Sequence, residues 1–378
     1  MKVLHVISGG ETGGSRKHVN TLLKKFPAGQ VCLLVFQEGI LAEEARLAGI
    51  RVELINQSSR YDLSVLKKLT RFIHEEAFDI VHSHGPRANL YLSLIKKNMK
   101  AAWVTTIHSD PKLDFMKGGV KGFLFTKLNL STLKKIDYFF AVSDRFKANL
   151  MELGINGDKI QSIYNGIDFT EPLQKQLEMR HKLNLNKDDM VLTMVARLHP
   201  IKGHDLVLQA LKKLNNPKIH LLLVGDGPIK LEIERMVSDL GLEKQVQFLG
   251  FRKDVDELYS LSDIALLASH SESFPLALLE AANQQIPILT TDVGGVRQLV
   301  TDKRYGWVTD VNDVDAYYEA IKEAYQLHTE NKLQERGLNL YEHAKVNFSL
   351  DQLFELTSQT YEKVVGKKDS HKKSNCKK

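Results

Sequence analysis

The chain has 378 residues, 43% of them hydrophobic and 26% charged, with a formal net charge of +6. That is an ordinary globular composition, long enough for two domains and unlike that of a fibrous or low-complexity protein. Two cysteines at opposite ends, Cys32 and Cys376, exclude a disulfide framework and a cysteine-based zinc site, which points to a reducing cytoplasm. No stretch approaches the ~20 apolar residues of a membrane span, and Met1–Ile7 is too short an apolar run for a signal peptide. Charge is unevenly divided: residues 1–170 carry 24 Lys and Arg against 16 Asp and Glu, residues 171–365 carry 22 against 29, and residues 366–378 carry 6 against 1. A basic front half and tail suggest an anionic partner, with ordinary solvated lysines as the bland alternative.

Apolar, β-branched runs alternate with amphipathic helical stretches. Val3–Ser8, Val31–Phe36, Arg51–Ile55, Ile80–Ser83, Trp103–Ile107, Tyr138–Val142 and Ile160–Tyr164 read as strands. After a polar span the pattern restarts with Val191–Ala196, His220–Val224, Val246–Leu249, Ile264–Ala268 and Ile288–Thr291. Two successive β-α-β series predict an α/β protein of two doubly wound parallel sheets, with strand carboxyl ends facing a cleft. The domains are placed at 1–170 and 189–348, with a linker at 171–188. A helix is expected at 349–365, packing back towards the first domain. Residues 366–378 are expected to be a disordered basic tail. No further clear strand is read after Thr291.

The first strand runs into Gly9-Gly10-Glu11-Thr12-Gly13-Gly14 and then a helix. Such a turn offers backbone N–H groups to an anion. It is neither a dinucleotide fingerprint, because Glu11 stands where the second glycine belongs, nor a P-loop, because Ser15-Arg16 replaces Lys-Ser/Thr; a plain tight turn is the alternative. His84 and His108 each end a strand, where a histidine can bond a substrate hydroxyl or move a proton. No close Cys or Glu completes a zinc set beside either.

In the second series, Arg197 ends a strand and Lys202-Gly203 opens the next helix. Two cations beside a helix N-terminus favour a phosphate or diphosphate. The next strand ends in Gly225-Asp226-Gly227-Pro228, which lets a ligand approach the backbone or simply makes a βα turn. Ile264–Ala268 leads to Ser271-Glu272-Ser273-Phe274-Pro275-Leu276 and a helix carrying Glu280. Two carboxylates eight residues apart thus flank a helix start, at the strand end where open α/β sheets bind ligands.

These motifs in this order, together with Thr291-Asp292-Val293-Gly294-Gly295-Val296, Gly13-Gly14 followed by Lys17-His18-Val19, and Tyr164-Asn165-Gly166-Ile167-Asp168, resemble retaining glycosyltransferases of the GT-B fold, family 4, over about residues 2–363. The resemblance implies a GT-B fold of two Rossmann-like domains facing across a deep cleft, and a metal-independent transfer of a sugar from a nucleotide sugar, a UDP-sugar above all. It implies that Arg197 and Lys202 hold the donor diphosphate. Glu272 would bond the sugar hydroxyls, Ser273, Phe274, Pro275 and Leu276 would form the turn against sugar and phosphates, and Glu280 would take the ribose. Phe251 and Arg252 would lie beside the base, and Gly225, Asp226 and Gly227 would line the donor site. Gly13 and Gly14 would lie near the diphosphate, His108 beside the sugar's reacting end, and Arg16, His84 and Asn165 on the acceptor side. No cofactor and no metal are expected, since two fixed cations and a helix N-terminus can stabilise a diphosphate electrostatically, and no DxD pair is read at a strand end. Ser273 for the frequent Gly, Gln298 for a common Glu, and Ser15-Arg16 for the frequent Ala-Glu depart from the family pattern.

Between Lys112 and Lys135 six lysines interleave with Phe115, Met116, Phe123, Leu124, Phe125 and Leu128. That composition suits a helix lying on anionic lipid, aided by the lysine-rich tail, or else a core helix with a wet face. The expected acceptor is a lipid-linked sugar or oligosaccharide, the expected pathway bacterial surface polysaccharide or glycolipid synthesis, and the expected location cytoplasmic or peripheral on the inner membrane face. A GT-B nucleotide-sugar epimerase or phosphorylase is the second reading. A basic nucleic-acid binder comes last, because aromatic platforms are lacking among the basic clusters and the back half is acidic.

Overall fold

Seven short apolar runs form the first sheet: β1 Val3–Ile7, β2 Val31–Val35, β3 Arg51–Leu54, β4 Ile80–His84, β5 Ala102–Ile107, β6 Tyr138–Ala141 and β7 Ile160–Ser162. All are parallel, in the order β3-β2-β1-β4-β5-β6-β7. The second sheet is β8 Met190–Val195, β9 Ile219–Val224, β10 Val246–Gly250, β11 Ile264–Leu267, β12 Ile288–Thr291 and β13 Gly306–Thr309, in the order β10-β9-β8-β11-β12-β13. The computed structural model describes residues 1–11, 13–57, 62, 64–112, 119–174 and 177–375.

Central strands buried on both faces need continuous apolar runs, and β1, β2, β8 and β11 supply them. The pleat then sorts alternate residues to opposite layers. Leu4 and Val6 join a core with Leu34, Val81, Trp103 and Phe139, whereas Val3 and Ile7 join another with Leu33, Val35 and Leu353. In the second sheet Leu192 and Met194 pack with Leu221 and Leu223, and Val191 packs on the other face with Leu222 and Leu258.

The chain divides at Gly166/Ile167 and again at Ser349/Leu350, so that the terminal helix belongs to the first unit. Its Phe354 packs edge-on against Phe26, Lys25 pairs with Asp351, and Tyr361 enters the first unit's core.

Three expectations are corrected. A strand, β13, follows Thr291; its four residues open on Gly306 and offered too little periodicity to read. The polar span read as a linker contains the helix Leu177–Lys182, whose Arg180 is buried and donates to the carbonyls of Leu261 and Asp189. The terminal helix runs from Leu350 to Asn375, through residues whose composition predicted disorder. Lysines are good helix formers and are favoured at a helix carboxyl end.

Candidate active site

In an open parallel sheet, ligands bind at strand carboxyl ends where the strand order reverses. In the second unit that point lies between β8 and β11. Arg197 and Lys202 follow β8, and Glu272 follows β11. Loops this close need backbone without side chains at two places. Gly203 has φ +65°, and a Cβ there would lie 2.0 Å from the Ala268 carbonyl oxygen at the end of β11. Gly225 has φ +144°, and its Cβ would lie 2.1 Å from the Ala196 oxygen at the end of β8. The Gly225-Asp226-Gly227 turn is therefore tight because the chain itself approaches it. The Leu198 N–H donates to the Asp226 carbonyl at 3.0 Å, and the Gly227 N–H to the Asp226 carboxylate at 2.8 Å.

Lys202 and Glu272, expected to read different parts of one donor, are bonded to each other. Lys202 Nζ donates to Glu272 Oε1, and the Ser269 hydroxyl donates to the same oxygen at 2.7 Å. Side-chain exposures of 21% and 14% leave the pair reachable but largely desolvated. Arg197 is exposed and makes no recorded ion pair among the described residues. The helix Leu276–Asn283 starts behind Pro275 with no side-chain cap; the Leu278 N–H turns back to the Pro275 carbonyl at 3.2 Å, and the N–H groups of Leu276 and Ala277 ahead of it are placed to meet an anion or hydroxyl. Ser273 is fixed from behind, its carbonyl accepting from the Gly295 N–H at 3.1 Å. Phe274 is buried. Glu280 lies in the second turn, near enough to Tyr259 to help raise that phenol's pKa beyond what burial does. Phe251 is 76% exposed just past β10, and Arg252 is pinned beside it by Asp254. The Asp-x-Asp spacings that occur, Asp254/Asp256 and Asp313/Asp315, stand at helix starts, where Asp254 holds Arg252 and Asp313 caps its helix through the Ala316 N–H.

The reversal in the first sheet lies between β1 and β4. Gly13 and Gly14 open the helix Gly14–Lys25, again with no side-chain cap, and a Cβ on either would meet nothing within 4 Å. Packing in the chain does not require glycine there. Thr12 lies outside the described residues. Arg16, expected on the acceptor side, is held by Glu44 at 2.5 Å, and Glu44 is held in turn by Asn20 at 2.7 Å.

β4 and β5 bring His84 and His108 together, with His84 Nδ1 3.1 Å from His108 Nε2. His84 is buried, and its other ring nitrogen is 3.0 Å from His5, so neither nitrogen is left for an acceptor. Asn165 is likewise buried and bonds His18. Sequence reading passed over His5, His18, His82 and Tyr361 as site residues. The signal was present in His82-x-His84, since alternate residues share a face, and in His5, which the β1–β4 register sets opposite His82. Desolvation is the chief cause lowering the pKa of all five histidines, with His5 at about 3 and His18 at about 4. Nitrogens of His5, His82 and His84 lie within 4.8 Å of one another, close enough to hold a metal ion in principle.

Two family models divide the chain as the sheets do. Residues 12–171 match glycosyltransferase family 4, and residues 175–340 match the glycosyl transferases group 1. The chain is a glycosyltransferase. It is 28% identical to the N-acetyl-alpha-D-glucosaminyl L-malate synthase of Bacillus anthracis over 67% of each chain. It is 27% identical to the Escherichia coli UDP-Gal:alpha-D-GlcNAc-diphosphoundecaprenol alpha-1,3-galactosyltransferase, over 69% of this glycosyltransferase and 70% of that one. Anabaena HepE, solved in complex with UDP, superposes with a TM-score of 0.85 at 20% identity, covering 96% of this chain and 100% of that one. The glycosyltransferase thus has the GT-B fold. No helix among its described residues is long and apolar enough to cross a membrane.

Proposed function

We propose that this glycosyltransferase moves a sugar from a UDP-sugar to a lipid-linked acceptor, with retention of configuration and without a metal, in the assembly of bacterial surface polysaccharide or glycolipid. The observation that carries this reading is the Lys202–Glu272 pair at the reversal point of the second sheet, beside an uncapped helix start. A nucleotide sugar presents a dianionic diphosphate next to a hydroxyl-rich ring. Lys202 is suited to the first and Glu272 to the second, so the donor exchanges one internal ion pair for two ligand contacts. Arg197 adds a second cation, and the bare N–H groups of the helix receive charge that develops on the leaving diphosphate. Glu280 is assigned to the ribose, Phe251 and Arg252 to the base, and Gly13, Gly14 and His108 to the diphosphate and reacting carbon. The names of the relatives support the choice of substrates, one naming UDP-Gal with a diphosphoundecaprenol acceptor, and a solved neighbour contains UDP.

The test is UDP release measured with candidate donors and lipid-diphosphate sugar acceptors, followed by NMR of the product's anomeric proton. UDP release that requires acceptor, survives EDTA and gives an α-linked product from an α-linked donor is expected. Loss of activity on chelation, or inversion, would refute that part of the reading; turnover of the UDP-sugar without acceptor would favour an epimerase, and phosphate-dependent formation of a sugar 1-phosphate with no UDP release a phosphorylase.

The same proposal places the first unit on anionic lipid. The helix Gly119–Leu133 exposes Phe123 at 63% and Leu124 at 67%, with Phe125, Leu128, Lys121 and Lys127 exposed among them. Lys127 lies 4.6 Å over the Phe123 ring. Phe115, Met116 and Lys117 fall outside the described residues. Burying two such side chains is worth about 1.5–3 kcal/mol each. Phosphatidylserine vesicles at low salt should therefore sediment the protein, and Phe123→Ser with Leu124→Ser should weaken binding by at least about tenfold. No sedimentation of the unaltered protein at low salt rejects the membrane role.

A further inference from the structure

Tyr361 of the terminal helix places its hydroxyl between two histidines of the first sheet, 2.5 Å from His82 Nδ1 and 3.3 Å from His5 Nε2. A single unbranched chain of hydrogen bonds extends from it in both directions. On one side His82 Nε2 is 2.7 Å from Thr106 Oγ1. On the other, His5 Nδ1 is 3.0 Å from His84 Nε2, and His84 Nδ1 is 3.1 Å from His108 Nε2. Thr106, His82, Tyr361, His5 and His84 are buried, and only His108 reaches partly exposed surface.

A neutral imidazole has one N–H and one bare nitrogen. Each ring in this chain must therefore donate on one side and accept on the other, and the choice made by one ring fixes the next. The closed end sets the direction. Thr106 has no side-chain partner other than His82 among the described residues. Were His82 to donate to it, the hydroxyl hydrogen would be buried without an acceptor, at a cost that decides the matter. Thr106 therefore donates to His82 Nε2, His82 Nδ1–H to Tyr361, and Tyr361 to His5 Nε2. His5 Nδ1–H then donates to His84 Nε2, and His84 Nδ1–H to His108 Nε2. The remaining proton of His108 sits on Nδ1, which has no partner among the described residues.

We propose that this relay locks His108 in its Nδ1–H tautomer, so that it meets the transferred sugar as a hydrogen-bond donor and not as a base, with Thr106 and Tyr361 as positioning residues. The contact with the sugar rests on the functional reading above; the tautomer does not. Burial keeps the imidazoles unprotonated and the Tyr361 phenol protonated, so every link is neutral. A fixed donor holds the sugar hydroxyl it bonds in one orientation, without reorganising at the moment of reaction. A metal ion among His5, His82 and His84 would break the relay and would bring charge to a place where, among the described residues, no carboxylate bonds these rings.

The experiment uses the full-length protein labelled with 15N-histidine, read by two-bond 1H–15N correlation near pH 7.5. The Nδ1–H pattern is expected at His5, His82, His84 and His108. Tyr361→Phe removes the central link, and the His108 pattern should move towards Nε2–H or an average of the two. In that variant kcat should fall about tenfold while the KM for the nucleotide sugar holds, since a donor is misplaced. Thr106→Val, which keeps the β-branched shape, serves if Tyr361→Phe fails to fold. Nε2–H at His108 in the unaltered protein, an unchanged pattern in both variants, or stoichiometric zinc that survives dialysis overturns the relay. Full activity of His108→Ala beside an intact Nδ1–H pattern overturns the sugar contact alone.

Discussion

Lys202→Ala lowers kcat/KM by about 10²–10³, the loss measured when one preorganised electrostatic stabiliser is removed from an active site. Stability falls by about 1–3 kcal/mol, because the Glu272 carboxylate is left largely desolvated with only the Ser269 hydroxyl as partner. Glu272→Gln behaves alike. The informative variant is the double one. Lys202 and Glu272 neutralise each other, and Ser269 holds the shared oxygen. The donor must separate them before each can serve its own part of the ligand. A single substitution loses a ligand contact but also removes the cost of that separation, and residues that share an interaction do not add. The double variant should therefore lose more than the product of the two single losses, because it loses both contacts but is spared the separation only once. Steady-state UDP release with acceptor present gives the three ratios, and melting temperatures establish that each variant is folded. Full activity of either single variant removes both residues from the mechanism. Strict multiplicativity would mean that the resting ion pair has no bearing on donor binding.

This pairing shows what sequence could and could not convey. Arg197, Lys202 and Glu272 were legible because each sits just beyond an apolar run, and strand carboxyl ends in doubly wound sheets meet at the reversal of strand order. The strands β1 to β12 were legible for the same reason, as buried parallel strands cannot hide their composition. Whether Lys202 reaches a ligand or a carboxylate depends on two side chains 70 positions apart, and no local pattern carries that. The relay was hidden more thoroughly. His5 lies within Val-Leu-His-Val-Ile and reads as strand, and Tyr361 lies 279 positions from His82 on a helix whose interior face looks merely apolar. Arg180 shows the converse: a charged residue in a polar span reads as linker unless the carbonyls of Leu261 and Asp189 that surround it are known.

The histidines also make the fold acid-labile at a pH where carboxylates are still ionised. His5 is held down to about 3, and His18 and His204 to about 4, in each case chiefly by desolvation. His204 is buried, and neither ring nitrogen has a hydrogen-bond partner among the described residues. A lowered folded pKa means that the unfolded chain takes up the proton first. At pH 7 both states are neutral and the shift costs nothing. As the pH falls below about 6.5 the unfolded state gains protons the folded state cannot accept, and stability declines until the folded values near 3–4 are reached. At pH 5 each group has cost about 2 kcal/mol, so the three remove about 6 kcal/mol, comparable with the whole stability of many domains. His82, His84 and His108 shift in the same direction and add to it. Carboxylates act in a lower window. Glu76, held near 2 first by Arg51 and then by Lys2, begins to matter only below about 4.5. Differential scanning calorimetry from pH 7.5 to 5 should thus show the melting temperature falling steeply across a range where Glu76 is silent. A flat melting temperature over that range would mean that water or movement lets these rings charge in place, and would count against a neutral histidine core.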